Sequence, residues 1–180
     1  MIVTPPDVLF TNVDLETSNL IHRAIAVAQN CVLEKVPYLY AGKNRRGLDS
    51  SGLIEFCYSP ILPSGSFNQR QHIKAWLFED DDIRLIEEGD LLFFSREQEP
   101  SEVSHVGLVE SVDLGRINII HAIEVDVQVS RDFFSVTEKI VKNIHRLTAV
   151  GKMRPFLLRT LLDDAINTEV ENASSITSRS

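Results

Sequence analysis

A chain of 180 residues with 43% hydrophobic content has the size of one domain and enough apolar side chains for a core. Its net charge of -8 argues against nucleic acid or an anionic membrane as the main partner, since both attract basic patches. No apolar run reaches membrane-spanning length, and the first seven residues lack the basic region and apolar stretch of a signal peptide. The expectation is a protein that acts in the cytoplasm or leaves it by another route. Cys31 and Cys57 are too few for a disulfide scaffold, and each falls in an apolar helical pattern that suits a buried thiol.

Residues 1 to 14 contain two prolines and read as irregular chain. From Leu15 to Cys31 apolar residues recur at helical spacing, with Thr17 or Ser18 as cap and His22 on the solvent side. The stretch from Val36 to Gly42 follows as an extended arm, then a polar loop over residues 43 to 47. A helix then starts abruptly, because Asp49, Ser50 and Ser51 are good caps ahead of Leu53, Ile54, Phe56 and Cys57. A side chain on its first turn sits at the positive end of the helix dipole, among N–H groups with no partner inside the helix. A cysteine there would be biased toward thiolate, but the residue is Ser50. Cys57 lies two turns further on, too far from that end to be activated.

Residues 59 to 66 are turn-rich, and residues 68 to 78 read as a short helix with Ile73, Trp76 and Leu77 inward. The acidic residues 79 to 82, with Glu87 and Glu88, read as a solvated face, since they lack the ligand alternation and central glycine of a calcium loop. Gly89 to Phe94 turns into an aromatic strand, and strands beginning near His105 and Arg116 pair as a hairpin. Centred on residue 113, that hairpin sets His105 directly across from His121 on one face of the sheet; a slip of one residue would part them. Residues 125 to 130 alternate as a further strand, and residues 132 to 148 fit no single pattern. Leu157 to Ile166 has a helical apolar face, and residues 171 to 180 form a polar tail expected to be mobile. His72 and His145 have no evident partner and read as surface residues. No helical His pair or Cys pair has metal-ligand spacing.

Five motifs stand in order along this chain. They are the arm Pro37-Tyr38-Leu39-Tyr40-Ala41-Gly42, then Asp49-Ser50-Ser51-Gly52-Leu53, then Leu62-Pro63 with Ser66 and Gln69. Gly89-Asp90-Leu91 with Phe93-Phe94 comes next, and His105-Val106-Gly107 followed by His121-Ala122 comes last. Together they resemble the NlpC family of papain-like cell-wall peptidases over roughly residues 20 to 155, and Ala149 to Pro155 resembles that family's closing strand, ended by the proline. The chain departs from the family at Ala41, where the family has glycine, and at Ser50, where it has the catalytic cysteine. The resemblance implies an α+β, papain-like (NlpC-type) fold with helices packed on a small antiparallel sheet. It implies one catalytic domain over residues 1–156, with an additional C-terminal helix at 157–170 and the tail at 171–180.

The resemblance also implies a chemistry: a thiolate attacks an amide carbonyl, a histidine serves as base and then acid, and a third polar group holds the imidazole tautomer. Carried across, Ser50 occupies the nucleophile position, His105 is the base and His121 the orienting residue. Tyr38 lies beside the scissile bond, and Asp49 and Ser51 line the pocket for the substrate's N-terminal side. The implied partner is the stem peptide of bacterial peptidoglycan, or a muropeptide, cut between D-Glu and diaminopimelate or Lys, with no metal or cofactor. A serine hydroxyl cannot be ionised in advance as a thiol can. The chain is therefore expected to be nearly inactive, either as a Cys-to-Ser silenced enzyme or as a natural pseudo-enzyme that binds muropeptides or a protein partner.

Overall fold

In the computed structural model, which describes residues 6–77, 79–96, 102–135, 139–142 and 145–177, the first element is a long helix, α1 (Pro6–Leu33). It replaces the irregular lead-in expected over residues 6 to 14; residues 1–5 lie outside the described residues. Proline is tolerated in a first helical turn, where its missing N–H has no partner anyway. Val13 and Thr17 are buried, the Thr17 hydroxyl donates to the Val13 carbonyl, and Arg154 reaches Asp14 at 3.0 Å. Docking against a distant helix, more than local propensity, keeps this segment helical.

The arm then leads through the small pair β1 (Lys43–Asn44) and β2 (Gly47–Leu48) into α2 (Ser50–Cys57) and α3 (Ser66–His72). The main sheet comprises β3 (Trp76–Leu77), β4 (Leu91–Arg96), β5 (Val103–Asp113), β6 (Arg116–Ala122), β7 (Val129–Ser135), β8 (Ile140–Val141) and β9 (His145–Gly151). Its strands run in the order β3-β9-β4-β5-β6-β7, with β8 on β9, and every pair is antiparallel. Helix α4 (Met153–Thr177) follows directly. This is the expected α+β architecture of helices on an antiparallel sheet.

Strand alternation sorts the side chains onto two faces. Leu91, Phe93, Val106, Leu108, Ile120 and Ala122 pack with Ala24 and Ala28 of α1, Leu53 and Ile54 of α2, and Leu157 of α4. Leu92, Phe94, Val109, Ile117, Ile119, Leu147 and Val150 form a second cluster on the other face, covered in part by Ile86. The histidines of the candidate site stand at the rim of this second cluster, on the same face.

Three expectations give way to the structure. Trp76 and Leu77 are not inward helical residues; α3 ends at His72, Lys74 takes a left-handed φ of 53°, and the two side chains lie exposed on an edge strand paired with Val150 and Ala149. Residues 125 to 130 are not one strand, because Glu124–Asp126 forms a 3-10 turn ended by Val127 at φ 56°, and β7 begins only at Val129. Pro155 does not end a strand. It sits in the first turn of α4, where proline is acceptable, and α4 continues helical through Thr177, into the segment expected to be a mobile tail.

Candidate active site

Ser50 opens α2, and the residues around it explain why a helix must begin there. Asp49 is the N-cap: its Oδ1 accepts from Gly52 N at 2.6 Å and from the Ser51 hydroxyl at 3.0 Å. Its Oδ2 accepts from Ala41 N at 2.9 Å, and its own N–H donates to the Gly42 carbonyl at 3.2 Å. One carboxylate thus binds the helix start to the arm. Gly52 is required by that closeness, since a Cβ there would lie 1.8 Å from the Gly42 carbonyl oxygen. Gln69, fully buried, donates through Nε2 to the Ser51 carbonyl at 2.9 Å and the Pro63 carbonyl at 3.0 Å, so the third motif braces the same turn.

The histidines come from the β5–β6 hairpin. Its turn is Leu114–Gly115, both with positive φ, and Glu110 is an extra residue between the pairs Val109↔Ile119 and Ser111↔Asn118. Continuing the register one step beyond Leu108↔Ile120 places His121 opposite Gly107, not opposite His105. The expected direct pairing is therefore displaced by two residues. An even displacement keeps the face, and the rings meet diagonally: His105 Nε2 lies 3.0 Å from His121 Nδ1, with ring planes at 67°. Both side chains are buried.

His145 belongs to this group, against the expectation of a surface residue. It is buried at the start of β9, its ring centroid is 4.9 Å from that of His105, and Ser104 Oγ lies 3.4 Å from its Nδ1. The available signal was the inward alternation of His145 with Leu147, which only the strand assignment makes legible. His72 and His22 are exposed, as expected.

Two adjoining cavities meet at Ser50. One, of about 220 Å³, is lined by Tyr38, Ser50, Ser104, His105, Glu124 and His145, among others. The second, of about 410 Å³, is lined by Tyr38, Tyr40, Asp49, Ser50, Ser51 and Ser104 with their neighbours. Tyr38 and Ser50 thus stand on the divide. Among the described residues no hydrogen bond joins Ser50 to His105.

Burial dominates the electrostatics. It pushes His105 well below the ordinary histidine range, with His121 and His145 adding to the effect. It lowers His121 to about 4 although Asp132 and Asp126 act in the opposite sense, and it lowers His145, helped by Arg96. Each of these shifts favours the neutral imidazole. Cys31 and Cys57 are buried away from both cavities, and desolvation raises each thiol. Among the described residues no cluster of His, Cys, Asp or Glu could hold a metal ion, and no helix is long and apolar enough to cross a membrane.

The model of the NlpC/P60 family matches residues 35–145. Among solved structures, NlpC2 and NlpC1 from Trichomonas vaginalis align with TM-scores of 0.57 and 0.56, each at 20% identity. The alignments cover 74% of this chain but only 46% and 44% of those proteins, so the chain spans less than half their length. The NlpC/p60 domain of the peptidoglycan hydrolase SagA aligns with a TM-score of 0.49 at 20% identity, covering 72% of this chain and 97% of that one. Comparison with curated proteins returns no match. Because the matched region holds the arm, the capped helix and both strands that carry the histidine pair, the chain belongs to the NlpC/P60 family.

Proposed function

We propose that this chain is a peptidoglycan stem-peptide hydrolase of the cysteine peptidase or amidase type, present in a nucleophile-silenced form. The observation that carries the reading is the His105–His121 pair, 3.0 Å apart, opening with its base into the same cavity as the first residue of α2. With cysteine in place of Ser50, the thiol would lose its proton to His105, and the sulfur would attack the amide carbonyl. The oxyanion would face the unpaired N–H groups of the α2 start. His105 would then protonate the leaving amine, and water would hydrolyse the thioester with His105 again as base. The second cavity, with Asp49 and Ser51, takes the substrate's N-terminal side, and the bond cut joins D-Glu to the diamino acid. The site of action is the cell envelope or its fragments.

A second reading, a pseudo-enzyme that binds muropeptides or a protein partner, is favoured by Ser50 itself and by the missing Ser50–His105 hydrogen bond. The deciding experiment compares the chain with its Ser50→Cys form on purified stem peptides by mass spectrometry. Cleavage by the Ser50→Cys form alone, lost on adding His105→Ala, is the expected result. If neither form cuts any stem peptide, the hydrolase reading is wrong. The same variant adds a thiol that lines both cavities, whereas Cys31 and Cys57 line neither, so its alkylation rate against pH reports whether a thiolate forms.

A further inference from the structure

We propose that Asp126 is a positioning residue that fixes the direction of the hydrogen bond between His121 and His105, and so keeps the basic lone pair of His105 on Nδ1. The inference rests on the functional reading above, but its deciding readout, the histidine tautomers, needs no turnover. His121 is fully buried, and its Nε2 has no hydrogen-bond partner among the described residues. Asp126 Oδ2 lies 3.8 Å from that nitrogen, and the Asp132 carboxylate acts on His121 in the same sense.

Asp126 is itself held in place. Its Oδ2 accepts from the Ser130 hydroxyl at 2.5 Å, and its Oδ1 lies 3.1 Å from Lys142 Nζ, which also reaches Asp132 at 3.4 Å. The following residue, Val127, takes a left-handed φ of 56°, an unfavourable conformation for a β-branched side chain. That strain accompanies the turn which brings Asp126 under His121.

A neutral imidazole carries its proton on one nitrogen and a lone pair on the other. If His121 carried its proton on Nδ1, it would donate to His105 Nε2, and its own Nε2 lone pair would face a carboxylate oxygen. That contact is repulsive, and on the imidazole side, where His121 is fully buried, no solvent reaches it. With the proton on Nε2, the N–H points at the carboxylate, and the His121 Nδ1 lone pair accepts from His105 Nε2–H. The His105 lone pair then sits on Nδ1, the nitrogen that His121 does not occupy. The chain of polarity runs from His105 through His121 to Asp126. A small closure from 3.8 Å would complete the last hydrogen bond and satisfy a buried donor.

The test uses the chain as it is, labelled with ¹⁵N-histidine, since imidazole nitrogen shifts distinguish the two tautomers. The expected result is a proton on Nε2 of both His105 and His121. Asp126→Asn can present an amide N–H to His121 Nε2, and should move both protons to Nδ1; Asp126→Glu should keep both on Nε2. In the Ser50→Cys form, Asp126→Asn should lower kcat on the order of 10²- to 10⁴-fold with little change in KM, with substantial recovery in Asp126→Glu. A His121 proton on Nδ1 in the unsubstituted chain overturns the proposal, and so do unchanged tautomers in a folded Asp126→Asn. Should Asp126→Asn not fold, the tautomer in the unsubstituted chain decides alone. An inactive Ser50→Cys form would sink the hydrolase reading while leaving the tautomer result to stand or fall by itself.

Discussion

His121 reaches His105 across a diagonal of the sheet because Glu110 is an extra residue in β5. The pairing at the hairpin tip, Ser111↔Asn118, would carry on to set His121 opposite Leu108, which packs on the other face with the helices. The bulge restores the face on which His105 stands. Glu110 is secured by Gln29 at 2.9 Å and by Arg131 at 2.8 Å. If this contact orients the base, His121→Ala in the Ser50→Cys form should lower kcat by about 10²-fold with KM little changed. Steady-state kinetics on a stem peptide checks it, and an unaltered kcat would remove His121 from the machinery.

The same burial makes the protein sensitive to acid. His121 moves from an ordinary 6.5 to about 4 in the folded state, so between those values the unfolded chain binds more protons. Its contribution is complete above pH 6.5 and is lost as pH falls toward 4, reaching about 3 kcal/mol for this one group. His105 and His145 shift in the same direction and steepen the loss. Urea unfolding at pH 7 and pH 4.5 should show a marked fall in stability, and His121→Gln should flatten it. A stability that does not change between these pH values would contradict a buried neutral cluster.

What could be read in advance was whatever is encoded locally. The cap at Asp49, the apolar run after it and the turn before Leu91 each lie within a few residues, and they placed Ser50 on a helix start. The shared face of His105 and His121 was also legible, but its cause was not. The simple hairpin and the real one differ by two residues, because bulges leave no mark in an alternating pattern. His145 was missed because its burial depends on β9 pairing with β4, more than 40 residues away, through a register that shifts between Phe93 and Phe94. The first turns of α1 were missed for a similar reason: their partner, Arg154, is 140 residues distant. Asp126 had no signal at all, being set beneath His121 by a turn that reads as strand.

Gly52 offers a sharper test of the helix that Ser50 opens. A Cβ would meet the Gly42 carbonyl oxygen at 1.8 Å and Asp49 Oδ1 at 3.2 Å, and the first of these is backbone that cannot move aside cheaply. Gly52→Ala should cost at least about 2 kcal/mol and displace the helix start from the arm. Gly65 makes the contrast: it has φ +85° but only Asn68 at 3.6 Å nearby, so Gly65→Ala should cost about 1 kcal/mol of backbone strain. Thermal melts of the two variants should rank in that order. Equal losses would mean that the close approach is not what fixes Gly52.

Asp90, in the Gly-Asp-Leu motif, is a structural counterpart to the histidine cluster. It is buried, and it accepts from Glu87 N at 2.8 Å, from Lys152 Nζ at 2.6 Å and from Met153 N at 3.1 Å. The last of these is an unpaired donor at the start of α4, so one carboxylate ties that helix to β4. Desolvation raises the Asp90 pKa, yet Lys152 beside it is itself largely buried, and removing one partner strands the other's charge. Asp90→Ala should therefore cost about 3 to 5 kcal/mol, and Asp90→Asn less, because its amide oxygen can still accept one bond. Adding Lys152→Met to Asp90→Ala should recover part of the loss in a double-mutant cycle. Since α1 leans on α4 through Arg154, amide exchange at residues 14 to 18 should quicken in Asp90→Ala along with that of α4. Exchange that quickens in α4 alone would show that the first turns of α1 hold without it.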